Sequence, residues 1–288
     1  MADPNGFHAL LLDPALTYSC AYWTSRAPGY GAAEAQRDKL DLVCRKLGLG
    51  PGSHLLDVDC GWGSLLLHAA ARYGARATGV AYSEAQRAFV DARIAERGLR
   101  GSADVQACGY RDAAGGPFDA VSSIEAGEYA VRDDQAGYCA TLYRRLRPGG
   151  RLLLQQITRG RVADGDAALV RSHSGAGLAA HALPVTLGHL ESAGFEIREV
   201  VSLREHYVAT MDAWWDALNG SWDAVVDRVG ARRARSWRLY LAGGSLAFQT
   251  GQASVHQILA VRPHPDGRSG FPLVGERTET VSPATDVS

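Results

Sequence analysis

The stretch LLDVDCGWGSLLL, residues 55–67, runs from one apolar segment through two glycines into a second apolar segment. The first segment has the length of a buried strand, and the second has the apolar spacing of a helix that packs on a sheet. Gly61 and Gly63 let the backbone approach a ligand closely, and the free N–H groups of a helix amino terminus favour an anionic group. The stretch therefore predicts a strand, a ligand-binding turn and a helix.

Short apolar strands alternate with helices on both sides of this stretch. Such alternation predicts an α/β fold with a doubly wound, mostly parallel seven-stranded sheet that helices cover on both faces. In a sheet of this kind, ligands bind at the carboxyl ends of the strands where the topology switches. The predicted strands are 54–59, 77–82, 103–109, 118–124, 151–157, 195–203 and 254–261, and the predicted helices are 33–47, 63–73, 84–97, 134–147, 184–194, 208–229 and 232–248.

One domain over residues 1–262 accounts for this pattern, with residues 1–32 as an amino-terminal cover. Residues 158–183 are rich in Gly, Ala and Ser and interrupt the alternation, so we interpret them as a lid insertion. Residues 263–288 are polar and dotted with Pro and Gly, which predicts a disordered tail.

Composition and charge exclude several classes of protein. The 288 residues carry a net charge of -1 and no Lys/Arg-rich block, so nucleic-acid binding is not indicated. No apolar run approaches the roughly 20 residues of a membrane span, and the first residues do not resemble a signal peptide. We therefore expect a cytoplasmic protein with at most peripheral membrane contact. Five scattered cysteines, and His173, His181 and His189 without close pairing, predict neither a disulfide framework nor a metal site.

A dinucleotide site is the rival interpretation of the glycine turn. The turn does not have the spacing GxGxxG, and the next predicted strand ends in Ala81-Tyr82-Ser83. Dinucleotide sites use an acidic residue at that strand end to bind the ribose. The sequence therefore counts against a dinucleotide and leaves the ligand of the turn open at this point.

Seven segments in this order resemble the cyclopropane fatty acid synthase family over roughly residues 7–262. The resemblance implies the class I methyltransferase fold, which is Rossmann-like, and S-adenosylmethionine as cofactor. Most members of that family methylate or methylenate an alkene in a lipid acyl chain, and related branches methylate small molecules. The segments are TYSCAYW (17–23), LDVDCGWGSL (56–65), GVAYSEAQ (79–86), SIEAGEY (123–129), QQIT (155–158), HYVATMDAWW (206–215) and YLAGGSLAFQTGQASVHQILAV (240–261).

The resemblance also implies which residues hold the cofactor. Its methionine part would lie beside the glycine turn, and its ribose or adenine would lie within reach of a glutamine on the following helix. The adenine would rest against residues that follow the third strand. The residues assigned to the cofactor in this way are Tyr18, Ser19, Asp59, Gly61, Gly63, Ala81, Tyr82, Gln86, Gly109, Tyr110 and Ile124.

Catalytic roles follow from the same resemblance. In the family, the methyl group moves to an alkene carbon and leaves a carbocation, and a bound bicarbonate ion then removes a proton. The resemblance places the backbone N–H groups of Cys20 and Ile157 on this ion, with Glu128 and Tyr207 as side-chain partners. Gln155 stands where the family has a histidine. An amide still donates a hydrogen bond, but it does not titrate near neutral pH.

Three departures from the family pattern keep several functions open. Asp59 replaces the first glycine of the motif. Gln155 and Tyr129 stand where the family has one histidine and often a second. The usual amino-terminal helix is missing, and the stretch between Thr158 and the helix at 184 is short, which leaves a reduced helical lid. The first hypothesis is methyl or methylene transfer to an unsaturated carbon of a lipid-like or polyketide-like substrate. The others are a small-molecule C- or N-methyltransferase of specialised metabolism, and a cofactor-independent or non-catalytic relative. The sequence leaves the substrate and the oligomeric state open, a homodimer included.

Overall fold

One sheet of seven strands organises residues 4–126, 134–160 and 180–271, which are the residues that this computed structural model describes. The strands lie in the order β3-β2-β1-β4-β5-β7-β6, and β7 alone runs antiparallel to its neighbours. The predicted doubly wound, mostly parallel sheet is confirmed. The strands are β1 (His54–Val58), β2 (Arg76–Ala81), β3 (Ala103–Ala107), β4 (Phe118–Ile124), β5 (Leu146–Arg159), β6 (Glu196–Ser202) and β7 (Ala253–Val261).

Helices cover both faces of the sheet because each strand alternates its apolar side chains between the faces. In β1, Leu55 packs into a cluster with the helices over residues 32–47, 64–73 and 84–96. Leu56 packs into a second cluster with the helices over residues 135–145 and 183–192. Both leucines are fully buried. The helices are α1 (Pro4–Leu11), α2 (Ala32–Leu47), α3 (Ser64–Tyr73), α4 (Glu84–Glu96), α5 (Gln135–Arg145), α6 (Leu183–Ser192), α7 (Arg204–Gly220), α8 (Trp222–Val229) and α9 (Ala231–Gln249).

A third apolar cluster joins the amino-terminal segment to the last three helices. Phe7 of α1, Cys20, Tyr207 of α7 and Leu241 of α9 belong to it and are all buried. The sequence analysis expected no amino-terminal helix, and that expectation is wrong. Residues 4–11 form a helix because their apolar side chains fall at helical spacing and pack against α7 and α8.

Two element boundaries differ from the predictions. The helix predicted over 208–229 begins at Arg204, so its polar first turn carries Tyr207, and it is divided after Gly220 into α7 and α8. Residues 148–150, which separate the helix predicted over 134–147 from the strand predicted over 151–157, lie inside β5, where the Gly149 N–H donates to the Arg262 carbonyl. Apolar periodicity missed both features because polar helix turns and bulged strands carry no periodic apolar signal.

The predicted lid and tail are described only at their ends. Residues 158–159 belong to β5 and Leu183 begins α6, whereas residues 161–179 lie outside the described residues. In the predicted tail, Phe271 lies against the guanidinium groups of Arg151 and Arg198, with centroid distances of 4.3 and 4.9 Å. Residues 272–288 lie outside the described residues. No described helix has both the length and the apolar character needed to cross a bilayer.

Candidate active site

A cavity of about 260 Å³ lies where β1 and β4 end. The sheet extends from β1 through β2 in one direction and through β4 in the other, so this is the topological switch point where such folds bind ligands. The predicted site residues that line the cavity are Tyr18, Ser19, Asp59, Gly61, Gln86, Ile124, Ile157 and Tyr207.

The glycine turn joins β1 to α3 as the sequence predicts. Gly61 and Gly63 have φ values of 55° and 83°, in the left-handed region that favours glycine. A Cβ at Gly61 would meet nothing within 4 Å, whereas one at Gly63 would lie 3.0 Å from Val90 Cγ1. Gly61 therefore leaves room for a ligand beside the first turn of α3, and Gly63 lets α3 and α4 pack closely.

Asp59 occupies the first position of this turn with a φ of 57°, which is uncommon for a residue with a Cβ. Burial raises the pKa of its carboxyl to about 6, although a hydrogen bond from the Gly61 N–H opposes the shift. The carboxyl lines the cavity beside Gly61 and Trp62. A carboxylate at this place suits the ammonium of an amino-acid group and disfavours a second carboxylate close to it.

Glu125 is the most heavily bonded carboxyl of the cavity. Its Oε1 accepts hydrogen bonds from the Cys20 N–H at 2.8 Å and from Gln155 Nε2 at 2.9 Å, and its Oε2 accepts one from the Tyr207 hydroxyl at 2.7 Å. Burial raises the pKa of Glu125, and the three donors and Lys39 oppose the shift. Burial and the neighbouring Glu125 carboxylate raise the pKa of Tyr207, so this phenol keeps the proton that it donates.

Lys39 supplies a buried positive charge to the same cavity. Its side chain is 1% exposed, and its Nζ donates to Ser19 Oγ at 2.8 Å. Burial lowers the pKa of Lys39, and the carboxylates of Glu125, Asp13 and Asp57 raise it again. Because buried ammonium groups are retained only beside compensating charges, we expect Lys39 to balance the cavity carboxyls.

Asp57 lies in β1, two residues before Asp59, and is 3% exposed. Its Oδ1 accepts a hydrogen bond from Ser122 Oγ at 2.7 Å. Burial, together with the carboxylate of Asp59, raises its pKa to about 7. Asp57, Asp59 and Glu125 thus place three carboxyls around the cavity against the ammonium of Lys39, and this balance suits a cationic ligand.

Aromatic side chains also line the cavity, among them Tyr18, Trp62, Tyr207 and Tyr240. Tyr18 packs on Trp214 and Trp237, with ring centroids 5.1 and 6.1 Å apart, and Tyr207 packs on Phe248 at 4.5 Å. Such rings exclude water from an apolar substrate and attract a cation through their faces. The cavity therefore combines carboxyls with aromatic rings, and Tyr207 contacts both because its hydroxyl donates to Glu125.

Five residues assigned to the cofactor do not line the cavity. Gly63 caps α3 and Ala81 is buried at the end of β2, while the Tyr82 N–H donates to Gln86 Oε1 at 3.2 Å. Gly109 and Tyr110 follow β3, and the buried Tyr110 hydroxyl has no hydrogen-bond partner in the described part of the chain. An unpaired buried hydroxyl beside the end of β3 is consistent with a polar ligand there.

Glu128 and Tyr129 lie outside the described residues, so their predicted positions stay predictions. Cys20 and Gln155 meet at Glu125, which sequence reasoning missed together with Lys39 and Asp57. A signal for Glu125 was present, because it directly follows β4 just as Asp59 follows β1. No group of three or more described His, Cys, Asp or Glu side chains is arranged to hold a metal ion.

Solved structures with this architecture define the class of the protein. The chain superimposes with a TM-score of 0.82 on the mycolic acid cyclopropane synthase CmaA1 complexed with SAH and CTAB. The two are 28% identical, and the match covers 89% of this chain and 93% of that one. With a glycine turn at the switch point and an antiparallel seventh strand, the chain is an S-adenosylmethionine-dependent methyltransferase of the class I fold.

Sequence comparisons define the family. The family model for mycolic acid cyclopropane synthetase matches residues 3–258, and the chain belongs to this family. A protein of Pseudomonas putida named "Probable fatty acid methyltransferase" is 37% identical over 281 residues, which are 94% of this chain and 70% of that protein. The Mycobacterium tuberculosis protein named "Probable fatty acid methyltransferase Rv3720" is 34% identical over 279 residues, 93% of this chain. This chain spans 63% of that relative, which is less than two thirds of its length.

Proposed function

We propose that this chain transfers a methyl group from S-adenosylmethionine to an alkene carbon of a lipid acyl chain. The observation that carries the proposal is the Glu125 carboxyl, held by three donors at the cavity beside a wall of aromatic rings. Alkene methylation creates a carbocation, and an anion in a dry pocket is what stabilises such a charge. The names of the two fatty acid methyltransferases that it resembles support an acyl-chain substrate.

The residues around the glycine turn fit the cofactor. The amino terminus of α3 offers N–H groups to the carboxylate of its methionine part, and Asp59 offers a carboxylate to its ammonium. Gln86 lies at the cavity on the first turn of α4, within the region that the resemblance assigns to the ribose or adenine. When bound, the cofactor supplies an electrophilic methyl group on a sulfonium.

The chain's own residues position the alkene and protect the cation. Tyr18, Trp62 and Tyr240 line the cavity and exclude water from the reacting carbons. Glu125 faces the same space, and the faces of nearby rings add a further attraction for a positive charge. Positioning and a dry site dominate here because methyl transfer from a sulfonium needs only an in-line approach of the nucleophile.

Product analysis tests this function. The protein would be incubated with S-[¹³C-methyl]adenosylmethionine and vesicles of monounsaturated phosphatidylglycerol, with fully saturated vesicles as the matched control. We expect label in the acyl chains of the unsaturated lipid alone. Mass spectrometry of the released acyl chains would detect the label. Ring formation and simple methylation followed by proton loss give isomers of equal mass, so proton NMR of the released chains, which separates cyclopropane from alkene protons, would distinguish them.

The same experiment includes the alternative functions. A panel of small amines and activated carbon acids would be offered in parallel. Label on one of these, with none in the lipid, would show a small-molecule methyltransferase of specialised metabolism. If calorimetry detected no binding of S-adenosylmethionine or its demethylated product at millimolar concentration, the chain would be a non-catalytic or cofactor-independent relative.

A further inference from the structure

Three donors at positions that the resemblance assigns to the bicarbonate site converge on a protein carboxyl instead. The Cys20 N–H, the Gln155 amide and the Tyr207 hydroxyl all donate to Glu125, over distances between 2.7 and 2.9 Å. The amide of Gln155 is also oriented by its neighbours, because Gln257 Nε2 donates to its Oε1 at 3.2 Å. The place expected for a bound anion is therefore taken by one that the chain itself carries.

Backbone geometry holds the Glu125 carboxyl at this place. Glu125 has a φ of 53°, and its N–H donates to the Gln155 carbonyl at 2.7 Å. A residue with a Cβ is strained in this region of φ, and such a conformation is retained where surrounding contacts hold it in place. Directly after β4, the left-handed turn aims the side chain back toward Cys20 and α7.

We propose that the Glu125 carboxylate replaces bicarbonate as the base of the reaction, so that this enzyme needs no exogenous anion. The proposal rests on the proposed function, because it concerns the proton-removal step of alkene methylation. Gln155 fits this assignment. Its amide does not titrate, but it can still donate a hydrogen bond to the carboxylate, as the family's histidine would donate one to a bound ion.

The step balances without a further reactant. The alkene π electrons form the new C–C bond to the methyl group, whose bond to sulfur breaks with both electrons remaining on sulfur. The carbon left with six electrons is the cation. Glu125 then takes a proton from a carbon next to that centre or from the new methyl group. The C–H electron pair becomes a C=C bond in the first case and closes a ring in the second, and Glu125 later releases the proton to solvent.

The charged and titratable groups around Glu125 support a base at this position. Lys39 faces it from α2, Cys20 from the amino-terminal segment, Tyr207 from α7 and Tyr240 from α9. Burial raises the pKa of the Cys20 thiol and of both phenols, so these groups stay neutral and leave the negative charge on Glu125. Burial also raises the pKa of Glu125, which strengthens it as a proton acceptor.

Anion binding tests the proposal without any substrate. ¹³C-bicarbonate would be titrated with the wild-type protein saturated with S-adenosylhomocysteine, and its ¹³C resonance would be followed for line broadening. We expect no binding to the wild type and binding to Glu125→Gly, which vacates the donors and relieves the positive φ. Glu191→Gln, an exposed carboxylate on α6, is the matched control and should behave as wild type. The proposal would be overturned if the wild type bound bicarbonate and Tyr207→Phe abolished that binding. It would also be overturned if folded Glu125→Gly bound no bicarbonate.

Turnover gives the second readout. In decarbonated buffer with unsaturated phospholipid vesicles, the wild type should turn over at the same rate with and without added bicarbonate. Glu125→Gln, which keeps the side-chain size, should lose about 100-fold or more of that rate, the usual effect of removing a general base. A rate that rises with bicarbonate would overturn the proposal. If the wild type modifies no lipid at all, the proposed function fails, and the resonance titration still decides what occupies the anion position.

Discussion

Leu16, Asp59 and Glu125 are the non-glycine residues of the described chain with a positive φ, at 61°, 57° and 53°. All three line the same cavity. Each such conformation costs about 1–3 kcal/mol, so three of them in one place indicate that backbone strain serves the site rather than the fold. Two of the three are carboxyls that directly follow neighbouring strands, so the strained backbone orients the charges that we propose act on the cofactor and the substrate.

Removing the charge of Asp59 should weaken binding of the cofactor's amino-acid end. Asn tolerates the left-handed conformation, so Asp59→Asn keeps the backbone and removes the charge. We expect the affinities for S-adenosylmethionine and S-adenosylhomocysteine to fall about tenfold each, because both carry the α-ammonium, and that factor corresponds to about 1.4 kcal/mol. Calorimetry with methylthioadenosine, which lacks the amino-acid group, provides the control. An equal loss for that ligand would contradict the assignment.

Removing the buried ammonium of Lys39 should destabilise the fold. Lys39→Met keeps the length of the side chain but leaves Glu125 and Asp57 without their nearby cation. We expect a loss of about 3 kcal/mol in the free energy of unfolding, as for other buried charges that lose a partner. Urea unfolding measures it, and Arg37→Met, exposed on the same helix, is the control. A loss no larger than that of the control would show that Lys39 does not balance these carboxyls.

Residue roles were predictable where a local pattern carries them. The glycine turn follows from a local motif and the positions of Tyr18 and Gln86 follow from the family resemblance; all three line the cavity, and their roles toward the cofactor stay predictions. Glu125 and Lys39 were missed because their importance depends on what meets them in space. Glu125 acquires its role from donors 105 and 82 positions away at Cys20 and Tyr207, and no spacing in the sequence connects them.

At the scale of elements, the strand-turn-helix unit of β1 and α3 anchors the site. The same alternation of apolar strands and helices continues along the chain, and it made the sheet and most of its helices predictable. The two glycines of the turn differ in role: Gly63 lies against a neighbouring side chain and allows close helix packing, whereas Gly61 faces open space. The missed helix α1 and the missed start of α7 both lie outside the alternation of strands and helices: α1 packs on α7 and α8, and α7 packs mainly on α9.

Alanine substitutions in the turn should separate these two duties. Gly61→Ala and Gly63→Ala both place a Cβ at positive φ, which costs about 1 kcal/mol. Gly63→Ala also presses on Val90 Cγ1 at 3.0 Å, so its unfolding free energy should fall further, by about another 1–2 kcal/mol of overpacking. Thermal and urea unfolding of the two variants check this difference. Equal losses would mean that α3 and α4 are not in close contact at this point.

The whole molecule consists of two apolar layers around the sheet and a third cluster over the cavity. The layers follow from local alternation, so the fold class was predictable. The third cluster joins Phe7, Cys20, Tyr207 and Leu241, which are remote in sequence, and no local pattern predicts it. This cluster holds α1 and α9 against the cavity, which His8 and Tyr240 help to line.

The buried carboxyls should make stability depend on pH in a definite direction. Asp57 has a pKa of about 7 in the folded protein, against about 4 in an unfolded chain. The folded state therefore binds the extra proton between these values, and stability is lost as pH rises through that window. Asp57→Asn removes this loss. The unfolding free energy of the variant minus that of the wild type should therefore increase from pH 4 to pH 7. Urea unfolding at several pH values measures the difference, and a constant difference would refute the shift.

The most direct test of the central claim uses S-adenosylmethionine with a fully deuterated methyl group and monounsaturated phospholipid vesicles. If the chain methylates an alkene and Glu125 removes a proton from the resulting cation, the acyl product will retain three deuteriums when the proton comes from the chain. It will retain two when the proton comes from the methyl group. The Glu125→Gln protein should form neither product above background. Deuterium on the headgroup or in saturated chains, or none in any lipid while the cofactor binds, would contradict the account.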